Sequence, residues 1–326
     1  MTIRLFELDN DKTKILSFLE GSALAHGINP MNQEWFLWKF FGSPYGKAII
    51  ACAFDGERIA GSVAYGRVPI SYRGETYNGA LAYENYVHPE YQGQGLFKKL
   101  ISKITEAAEA EGVIDLLWVF PNANAIAGYL RMGWIESAMP QYRIRVNHWF
   151  RVIPKIRDLK TPFKTQDSNL LELPPPPNGD FQAAQKYPPN VIAPVWNADY
   201  MKWRFFTYPV AKYYISDNER FFASARIGFR GRLKEAQILT VSPKSETGYK
   251  VCFKAFLKEL RAKEDPDIFG ISTTQSHPLS NCLSGFIKVP SQGHFCCYIP
   301  KTSRLKDILP SQNLEIALST IDFHTY

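Results

Sequence analysis

Apolar positions in the N-terminal half follow two periods, those of strands and of amphipathic helices. Leu100, Ile104 and Ala107 share one face of a helix predicted over Leu96–Glu111. Ile114–Phe120 is almost wholly apolar, which is typical of a strand inside a sheet. The other predicted strands are Ile3–Leu8, Ala48–Phe54, Arg58–Tyr65 and Leu81–Val87, and the other predicted helices are Asp11–Ala25, Gln33–Phe41 and Asn122–Met132. Strands and helices that alternate in this way indicate an α/β protein.

The same order of features returns in the C-terminal half. The aromatic segment Trp38–Pro44 recurs as Trp203–Pro209, and Val87–Pro89 recurs as Val241–Pro243. The spacing between matching positions shrinks steadily along the chain, as loop shortening in a second copy would produce. We therefore predict a duplication with domains at 1–150 and 191–326. Residues 151–190 between them contain four consecutive prolines, which predict an extended linker.

Composition places the chain among folded proteins of a reducing compartment. It has 326 residues, of which 45% are hydrophobic, enough for two packed cores. No apolar run approaches the roughly 20 residues of a membrane span, and the acidic N-terminus does not resemble a signal peptide. Five cysteines, mostly within apolar runs, are typical of a reducing cytosol. We expect a cytoplasmic protein without a membrane span.

The formal charge of +7 favours anionic ligands in general. Much of it lies in one segment, at Arg143, Arg145, Arg151, Lys155, Arg157, Lys160 and Lys164, with only Asp158 opposing it. This segment is either a solvated strand end and linker or a positive wall beside an anionic substrate. No nucleic-acid motif accompanies the charge, so we do not predict a nucleic-acid partner. The sequence leaves the oligomeric state open.

The stretch from Val87 to Leu100 combines a strand end, a glycine-rich turn and a helix start. Gly93 and Gly95 allow a tight turn in which no Cβ blocks an approaching anion. The first amides of the following helix have no intrahelical partner, and the helix dipole adds partial positive charge there. This order of elements predicts a site for a phosphorylated cofactor.

The glycine turn and a later segment together resemble the acyl-CoA-binding pattern of the GNAT acyltransferase superfamily. The turn contributes Gln92 and Gly95, and the later segment is Asn122–Trp134. The resemblance covers residues 1 to 147, and Phe97 stands where the family usually has a small residue. It implies two GNAT-like domains, each a mixed, mostly antiparallel twisted sheet flanked by helices, with a degenerate second copy.

The resemblance also assigns a role to each residue of the predicted cofactor site. Acetyl-CoA, or another acyl-CoA, would present its pyrophosphate to the amides of the turn. Its pantetheine arm would lie beside the strand that ends at Val87, where an amide would stabilise charge on the thioester oxygen. Asn122 would bond that arm, cap the helix that it precedes, or do both. The cofactor-binding residues predicted in this way are Val87, Gln92, Gly93, Gln94, Gly95, Leu96, Phe97 and Asn122.

Two residues are predicted to carry the chemistry. By the resemblance, Tyr129 donates a proton to the departing thiolate. Glu84, on the strand before the turn, is the first candidate for the base that deprotonates the acceptor. Strand alternation places Tyr83 and Asn85 on the opposite side from Glu84. His88 and an ordered water relay are the alternatives for the base.

The second copy lacks this pattern. It has Lys244-Ser245-Glu246-Thr247-Gly248 in place of the glycine turn and Asn281 in place of Tyr129. Because Glu246 would repel a phosphate, we expect this copy to shape the acceptor pocket or to pack against the first copy. We predict no metal site, because its candidate ligands lack the C-x-x-C spacing of zinc sites; they are Cys252, His277, Cys282, His294, Cys296 and Cys297.

These observations predict a GNAT-type N-acyltransferase. It would transfer an acetyl group from acetyl-CoA to an amine or hydroxyl of a small molecule such as an amino sugar, by direct attack in a ternary complex. The positive charge makes an anionic acceptor one of the candidates. Two alternatives stay open at this point: a non-catalytic acyl-CoA-binding or scaffold module, and an aminoacyl or peptide transferase that uses the cleft between the two domains.

Overall fold

A computed structural model describes residues 1–165, 187–207, 213–244, 248–290, 293–309 and 314–320. Three predicted features lie wholly or partly outside these ranges. They are the proline run of the linker, the end of the second aromatic segment and Ser245–Thr247. Within the described residues, no helix has the length and apolar character needed to cross a membrane.

Strands and helices alternate along the chain. In chain order, the strands are β1 (Thr2–Leu5), β2 (Ile49–Asp55), β3 (Arg58–Tyr72), β4 (Glu75–Val87), β5 (Leu116–Val119), β6 (Ile135–Glu136), β7 (Gln141–Val146), β8 (Phe163–Thr165), β9 (Ala193–Pro194), β10 (Tyr214–Asp217), β11 (Phe221–Arg230), β12 (Leu233–Pro243), β13 (Ile268–Thr273), β14 (Ile287–Lys288) and β15 (Cys296–Tyr298). The α-helices are α1 (Leu8–Asp11), α2 (Ile15–His26), α3 (Gln33–Phe41), α4 (Leu96–Glu111), α5 (Ile126–Arg131), α6 (Trp149–Val152), α7 (Ala198–Phe206) and α8 (Tyr249–Glu264).

Contacts divide the chain into two units, neither of which is continuous in sequence. The first consists of Met1–Ser71, Glu75–Ser137 and Gly293–Leu314. The second consists of Tyr72–Gly74, Ala138–Gln292 and Glu315–Tyr326. Each unit therefore contains a segment from the other half of the sequence, which periodicity did not indicate. These units are defined by contacts, whereas the predicted domains 1–150 and 191–326 are defined by the repeated sequence order. That predicted division stays a prediction.

The first unit is built on a mixed sheet with the strand order β1-β2-β3-β4-β5-β15-β6. β1, β2 and β3 pair antiparallel, whereas β4 and β5 run parallel. β15 enters antiparallel between β5 and β6 although it comes from the C-terminal end of the chain. Leu100 and Ile104 of α4 are fully buried in the core of this unit, as their helical spacing predicts, whereas Ala107 is only partly buried against it.

The second unit repeats this plan with the order β10-β11-β12-β13-β7-β14, and β8 lies beside β11. β12 and β13 form its parallel pair. β7, from the end of the first half of the sequence, enters antiparallel between β13 and β14, as β15 does in the first sheet. Two mixed sheets flanked by helices confirm the predicted fold class.

Local details also recur in both halves of the chain. Asn32 caps α3 and Asn197 caps α7, each by accepting a hydrogen bond from a backbone amide three residues on. Asp115 and Asp267 each accept a hydrogen bond from a backbone amide of the neighbouring parallel strand. Recurrence of such details at matching positions supports the predicted duplication.

Several predicted boundaries are wrong. The first strand ends at Leu5, and the helix expected from Asp11 becomes α-helical only at Ile15, after a 3-10 turn. The helix expected from Asn122 begins at Ile126, because the Asn122 side chain closes a turn before it. Part of the predicted linker is folded, since residues 149–160 are helical and β8 joins the second sheet.

The returning C-terminal segment is anchored to the first sheet by an ion pair. Arg304 donates from Nη2 to Oδ2 of Asp115 at 2.7 Å, and its backbone amide donates to Oδ1 at 3.0 Å. Burial disfavours the charged form of Asp115, but hydrogen bonds from Arg304 and from the amide of Asn78 outweigh burial and lower the pKa of Asp115.

Asp115→Asn should therefore destabilise the protein in a pH-dependent way. We expect the free energy of unfolding to fall by about 1–3 kcal/mol near neutral pH. Because the folded-state pKa is lowered, the stabilisation is complete above the ordinary aspartate value of about 4 and is lost as pH falls through the folded-state value. Urea unfolding at neutral and acidic pH should show the two proteins converging in acid. Asp307→Asn, at an exposed carboxylate of the same segment, serves as the control. A difference that stays constant with pH would contradict this account.

Candidate active site

The candidate site lies where β4 separates from β5. Their register runs from Gly79 opposite Leu116 to Leu81 opposite Trp118, after which β5 ends and β4 continues to Val87. Within this continuation Glu84 has a φ of 56°, in the left-handed region that non-glycine residues seldom adopt. A residue in this conformation interrupts the two-residue alternation of side chains along a strand.

The interruption at Glu84 changes which side its neighbours face. The ring of Tyr83 lies 4.9 Å from Nζ of Lys39, and the Glu84 carboxylate also contacts this ammonium. Tyr83 and Glu84 therefore share a side, whereas Asn85 faces Tyr129. The prediction that Tyr83 and Asn85 lie together opposite Glu84 is wrong, because alternation holds only while every residue keeps an extended φ.

Asn85 holds the hydroxyl of Tyr129. Its Nδ2 donates to Oη of Tyr129 at 3.2 Å, while its Oδ1 accepts from the backbone amide of Ala64 at 3.0 Å. Both ends of the Asn85 amide are thus fixed, and the Tyr129 oxygen acts as an acceptor in this bond. Burial raises the pKa of Tyr129, so its hydroxyl stays protonated near neutral pH.

Aromatic rings fix the orientation of Tyr129 as well. Phe97 packs edge-to-face against it, with centroids 5.4 Å apart and planes at 84°. Trp134 packs against it with a centroid distance of 4.9 Å. The unusual Phe97 thus contacts the predicted catalytic tyrosine, and it is partly buried against the same core.

The glycine turn has the geometry that its sequence predicts. Gly93 and Gly95 have φ values of 76° and 70°, which glycine alone adopts without strain. Gly95 is the N-cap of α4, and Leu96 turns into the core. Nε2 of Gln92 donates to the carbonyl of Val87 at 3.1 Å, which ties the turn to the strand end.

The turn is accessible and electropositive. Residues 92–95 are exposed, and Nε2 of Gln94 donates to the carbonyl of Glu90 at 3.4 Å. The first turn of α4 reads Leu96-Phe97-Lys98-Lys99 and contains no carboxylate. The exposed lysines add to the positive end of the helix dipole.

Asn122 closes the turn before α5. Its Oδ1 accepts hydrogen bonds from the amides of Asn124 at 3.1 Å and Ala125 at 3.0 Å. Capping is therefore the role that the contacts of Asn122 show, and contact with a pantetheine arm stays a prediction.

Glu84 and Tyr129 are not brought together. Oε1 of Glu84 lies 2.8 Å from Nζ of Lys39, and Oε2 accepts from Oγ of Ser22 at 2.8 Å. Both side chains of the ion pair are 2% exposed. Glu84 thus contacts α2 and α3, whereas Tyr129 packs with α4. His88 accepts from the Glu90 amide and contacts Arg58, so it helps to shape the turn.

Sequence reasoning missed Lys39, and it named Asn85 only as a strand residue on the side opposite Glu84, without the contact to Tyr129. Lys39 is one cation inside the aromatic helix α3, and a lysine at a core position requires a buried partner. That signal could have led to its carboxylate partner. Asn85 had no comparable signal, because its direction depends on the backbone conformation of Glu84.

The remaining candidates are the counterpart of Tyr129 in the second unit and the histidines and cysteines considered as metal ligands. Asn281, the counterpart of Tyr129, lies in the 3-10 helix Pro278–Cys282. Burial lowers the pKa of His277 to about 3 and raises that of Cys296, in the first sheet, to about 12. Over the described ranges, no three His, Cys, Asp or Glu side chains are grouped so that they could hold a metal ion.

Comparison with known proteins finds a family likeness in the first part of the chain. A family model described as an acetyltransferase (GNAT) domain matches residues 11–136, a range that contains β4, the glycine turn and Tyr129. Residues 11–136 are therefore similar to a GNAT domain. A mycothiol acetyltransferase from Thermobispora bispora is 29% identical over 147 residues, which are 44% of this chain and 45% of that protein. The chain thus matches less than half the length of this curated relative.

Solved structures extend the GNAT fold over most of the chain. A GCN5-related N-acetyltransferase from Anabaena variabilis has a TM-score of 0.61 at 11% identity, covering 92% of this chain and 73% of that one. Saccharomyces cerevisiae N-myristoyltransferase with bound myristoyl-CoA has a TM-score of 0.54 at 13% identity, covering 91% and 78%. At these identities the likeness concerns the fold alone.

The buried ion pair of Lys39 and Glu84 should be important for the stability of the fold. Lys39→Met keeps most of the side-chain volume but leaves the Glu84 carboxylate buried without its ammonium partner. We expect a loss of about 3–5 kcal/mol in the free energy of unfolding. Adding Glu84→Gln should restore most of it, because the remaining core is then neutral.

Urea denaturation followed by circular dichroism measures these changes. Lys103→Met is the matched control, since Lys103 pairs with Glu106 on the surface, with side chains 38% and 64% exposed. Its stability should equal that of the wild type. If Lys39→Met unfolds no more easily than this control, the ion pair does not hold α3 to β4.

Proposed function

We propose that this protein is an acyl-CoA-dependent N-acyltransferase whose chemistry lies in the first unit. It transfers an acetyl group from acetyl-CoA to an amine or hydroxyl of a small molecule such as an amino sugar. One observation carries this proposal: the buried, protonated hydroxyl of Tyr129 is oriented by Asn85 on the part of β4 that extends beyond β5. The GNAT domain match and the acetyltransferase relative support acetyl transfer.

The glycine turn fits a pyrophosphate group. Gly93 and Gly95 adopt left-handed φ values, and a helix of 16 residues begins directly after them. The phosphate oxygens would accept hydrogen bonds from the backbone amides of Gly93, Gln94, Gly95 and Leu96. The exposed lysines at 98 and 99 would attract the negative charge of the phosphates. An acyl-CoA is the phosphorylated cofactor that the GNAT domain implies, and the solved N-myristoyltransferase with myristoyl-CoA supports it.

Tyr129 and Asn85 act on the leaving group. Acetyl-CoA supplies an acyl group activated as a thioester, which a neutral amine or hydroxyl accepts as the thiolate leaves. Tyr129 holds at Oη the proton that the thiolate takes up, and Asn85 keeps that hydroxyl from rotating away. Backbone amides of β4 beyond Leu81 lie outside the register with β5, and one of them would stabilise negative charge on the acyl oxygen.

Glu84 remains the proposed base, with a water relay as the alternative. Its carboxylate lies on the side of β4 that contacts α2 and α3, so an acceptor deprotonated by it would approach from that side. Both of its carboxylate oxygens are engaged, Oε1 with the ammonium of Lys39 and Oε2 with the hydroxyl of Ser22. Proton transfer to Glu84 therefore requires that the acceptor displace part of this pairing.

A cytoplasmic location stays a prediction from the cysteine content.

Gly95→Glu should abolish tight binding of acetyl-CoA. The new side chain adds backbone strain at φ 70° and places a negative charge where the phosphates would bind. We expect the affinity measured by calorimetry to fall at least about tenfold. Gly112→Glu is a close control, because Gly112 ends the same helix with a φ of 63°. It should bind acetyl-CoA as the wild type does, and equal affinities of both variants would place the phosphate site elsewhere.

Tyr129→Phe should slow turnover without weakening cofactor binding. We expect kcat to fall by about a hundredfold or more, with the KM for acetyl-CoA little changed, because only the proton donor is removed. Release of the coenzyme A thiol in the presence of a panel of amines measures the rate. Asn85→Leu should show a smaller loss of kcat, since it removes the orienting bond and keeps the hydroxyl.

Tyr214→Phe is the control, since this hydroxyl bonds Glu259 in the second unit. Full turnover of Tyr129→Phe would show that the acid is another group. If acetyl-CoA binds but no acceptor in a broad panel releases thiol, the protein is a binding module.

A further inference from the structure

Four large apolar side chains face water on one short segment of the second unit. Their exposed fractions are 57% for Trp149, 72% for Phe150, 62% for Ile153 and 59% for Ile156. The segment comprises α6 and the 3-10 helix that follows it, over residues 149–160. The backbone is non-helical at Lys155, so helical spacing relates Trp149, Phe150 and Ile153, and Ile156 follows the kink. The four exposed side chains are here called the exposed apolar face.

The other face of the same segment is firmly packed. Val152 is buried in a small core with Leu233 and Ile268, and Leu159 packs against that core. Lys155 donates to the carbonyl of Arg232 at 3.2 Å. The exposed apolar face therefore belongs to a segment that is held in place, and its four side chains are presented to solvent by the fold. Exposed apolar surface of this kind marks an interaction site.

Positive charge is concentrated in the sequence that carries the exposed apolar face. Within and beside the segment lie Arg151, Lys155, Arg157, Lys160 and Lys164. The carboxylates beside it are already paired, since Asp158 lies 2.8 Å from Arg232, and Asp265 contacts both His148 and Arg151. Asp267, nearly buried, lies 3.8 Å from Lys155. The side chains at positions 157, 160 and 164 are exposed, so the rim keeps an excess of positive charge.

We propose that the exposed apolar face docks this protein onto the surface of an anionic lipid membrane. Tryptophan and phenylalanine favour the boundary between headgroups and acyl chains, and the two isoleucines would enter the acyl layer. The basic rim would meet anionic headgroups. Lysine is depleted in protein–protein interfaces, so the exposed lysines at 160 and 164 favour an anionic lipid surface over a protein partner. Peripheral docking of this kind is independent of the proposed acyl transfer.

Flotation of the full-length protein with lipid vesicles tests the proposal. One set of vesicles contains phosphatidylcholine only, and the other contains about 30% phosphatidylglycerol. The apolar variant is F150S/I153S/I156S, and its control is L16S/L24S/V251S, at side chains that are 62%, 58% and 55% exposed. The charge variant is R157E/K160E/K164E, and its control is K254E/K258E/K306E, at exposed lysines. Thermal unfolding verifies that every variant is folded.

We expect the wild type to float with the anionic vesicles and much less with the neutral ones. The apolar variant should lose at least about tenfold in bound fraction, and the charge variant should lose a similar amount. Salt at roughly 0.5 M should weaken binding of the wild type, because it screens the basic rim. Both control variants should float as the wild type does.

Two results would overturn the proposal. The first is that the wild type and the apolar variant float to the same extent, or that the control variant L16S/L24S/V251S loses as much flotation as the apolar variant does. The second is that the wild type floats with neither kind of vesicle but self-associates in analytical ultracentrifugation, and that the apolar variant does not self-associate. That result would make the exposed apolar face an interface between copies of this chain.

Discussion

The candidate site depends on one constraint, namely that β4 pairs with β5 only as far as Leu81. Beyond that residue β4 is held by β3 on one edge, and its other edge is outside the register with β5. A left-handed residue at Glu84 then turns two consecutive side chains to the same side. As a result, Asn85 reaches Tyr129, and the strand runs on into the glycine turn. The proposed leaving-group chemistry and the proposed phosphate site therefore depend on a single strand.

The two halves of the chain share a plan but differ in chemistry. Both sheets contain a parallel strand pair and capped aromatic helices at matching positions. Each sheet also needs a strand from the other half of the sequence, β15 in the first and β7 in the second. The half of the sequence that lacks the cofactor pattern thus supplies a strand to the sheet that carries the glycine turn. This exchange gives a physical reason for the two halves to stay in one chain.

Charge is used in three different ways. Lys39 and Glu84 are fully buried and neutralise each other, so they specify how α3 packs on β4. The exposed Arg304 pairs with the buried Asp115 and anchors the returning segment. The rim of the exposed apolar face keeps a positive excess beside water. Of these three arrangements, the rim is the one that leaves charge for a partner, and the partner that we propose for it is an anionic membrane surface.

The sequence by itself determined the elements whose cause is local. Helices α3 and α4 begin and end at the residues that the local sequence predicts. Glycine at positions 93 and 95 determines the conformation of the turn. The recurring order of motifs and the family resemblance follow from the sequence as well. The tertiary structure decided whatever depends on distant contacts: the entry of β15, the pairing of Lys39 with Glu84 and the direction of Asn85. Periodicity reports which face of an element is buried, but it contains neither the partner strand nor the φ value that interrupts the alternation.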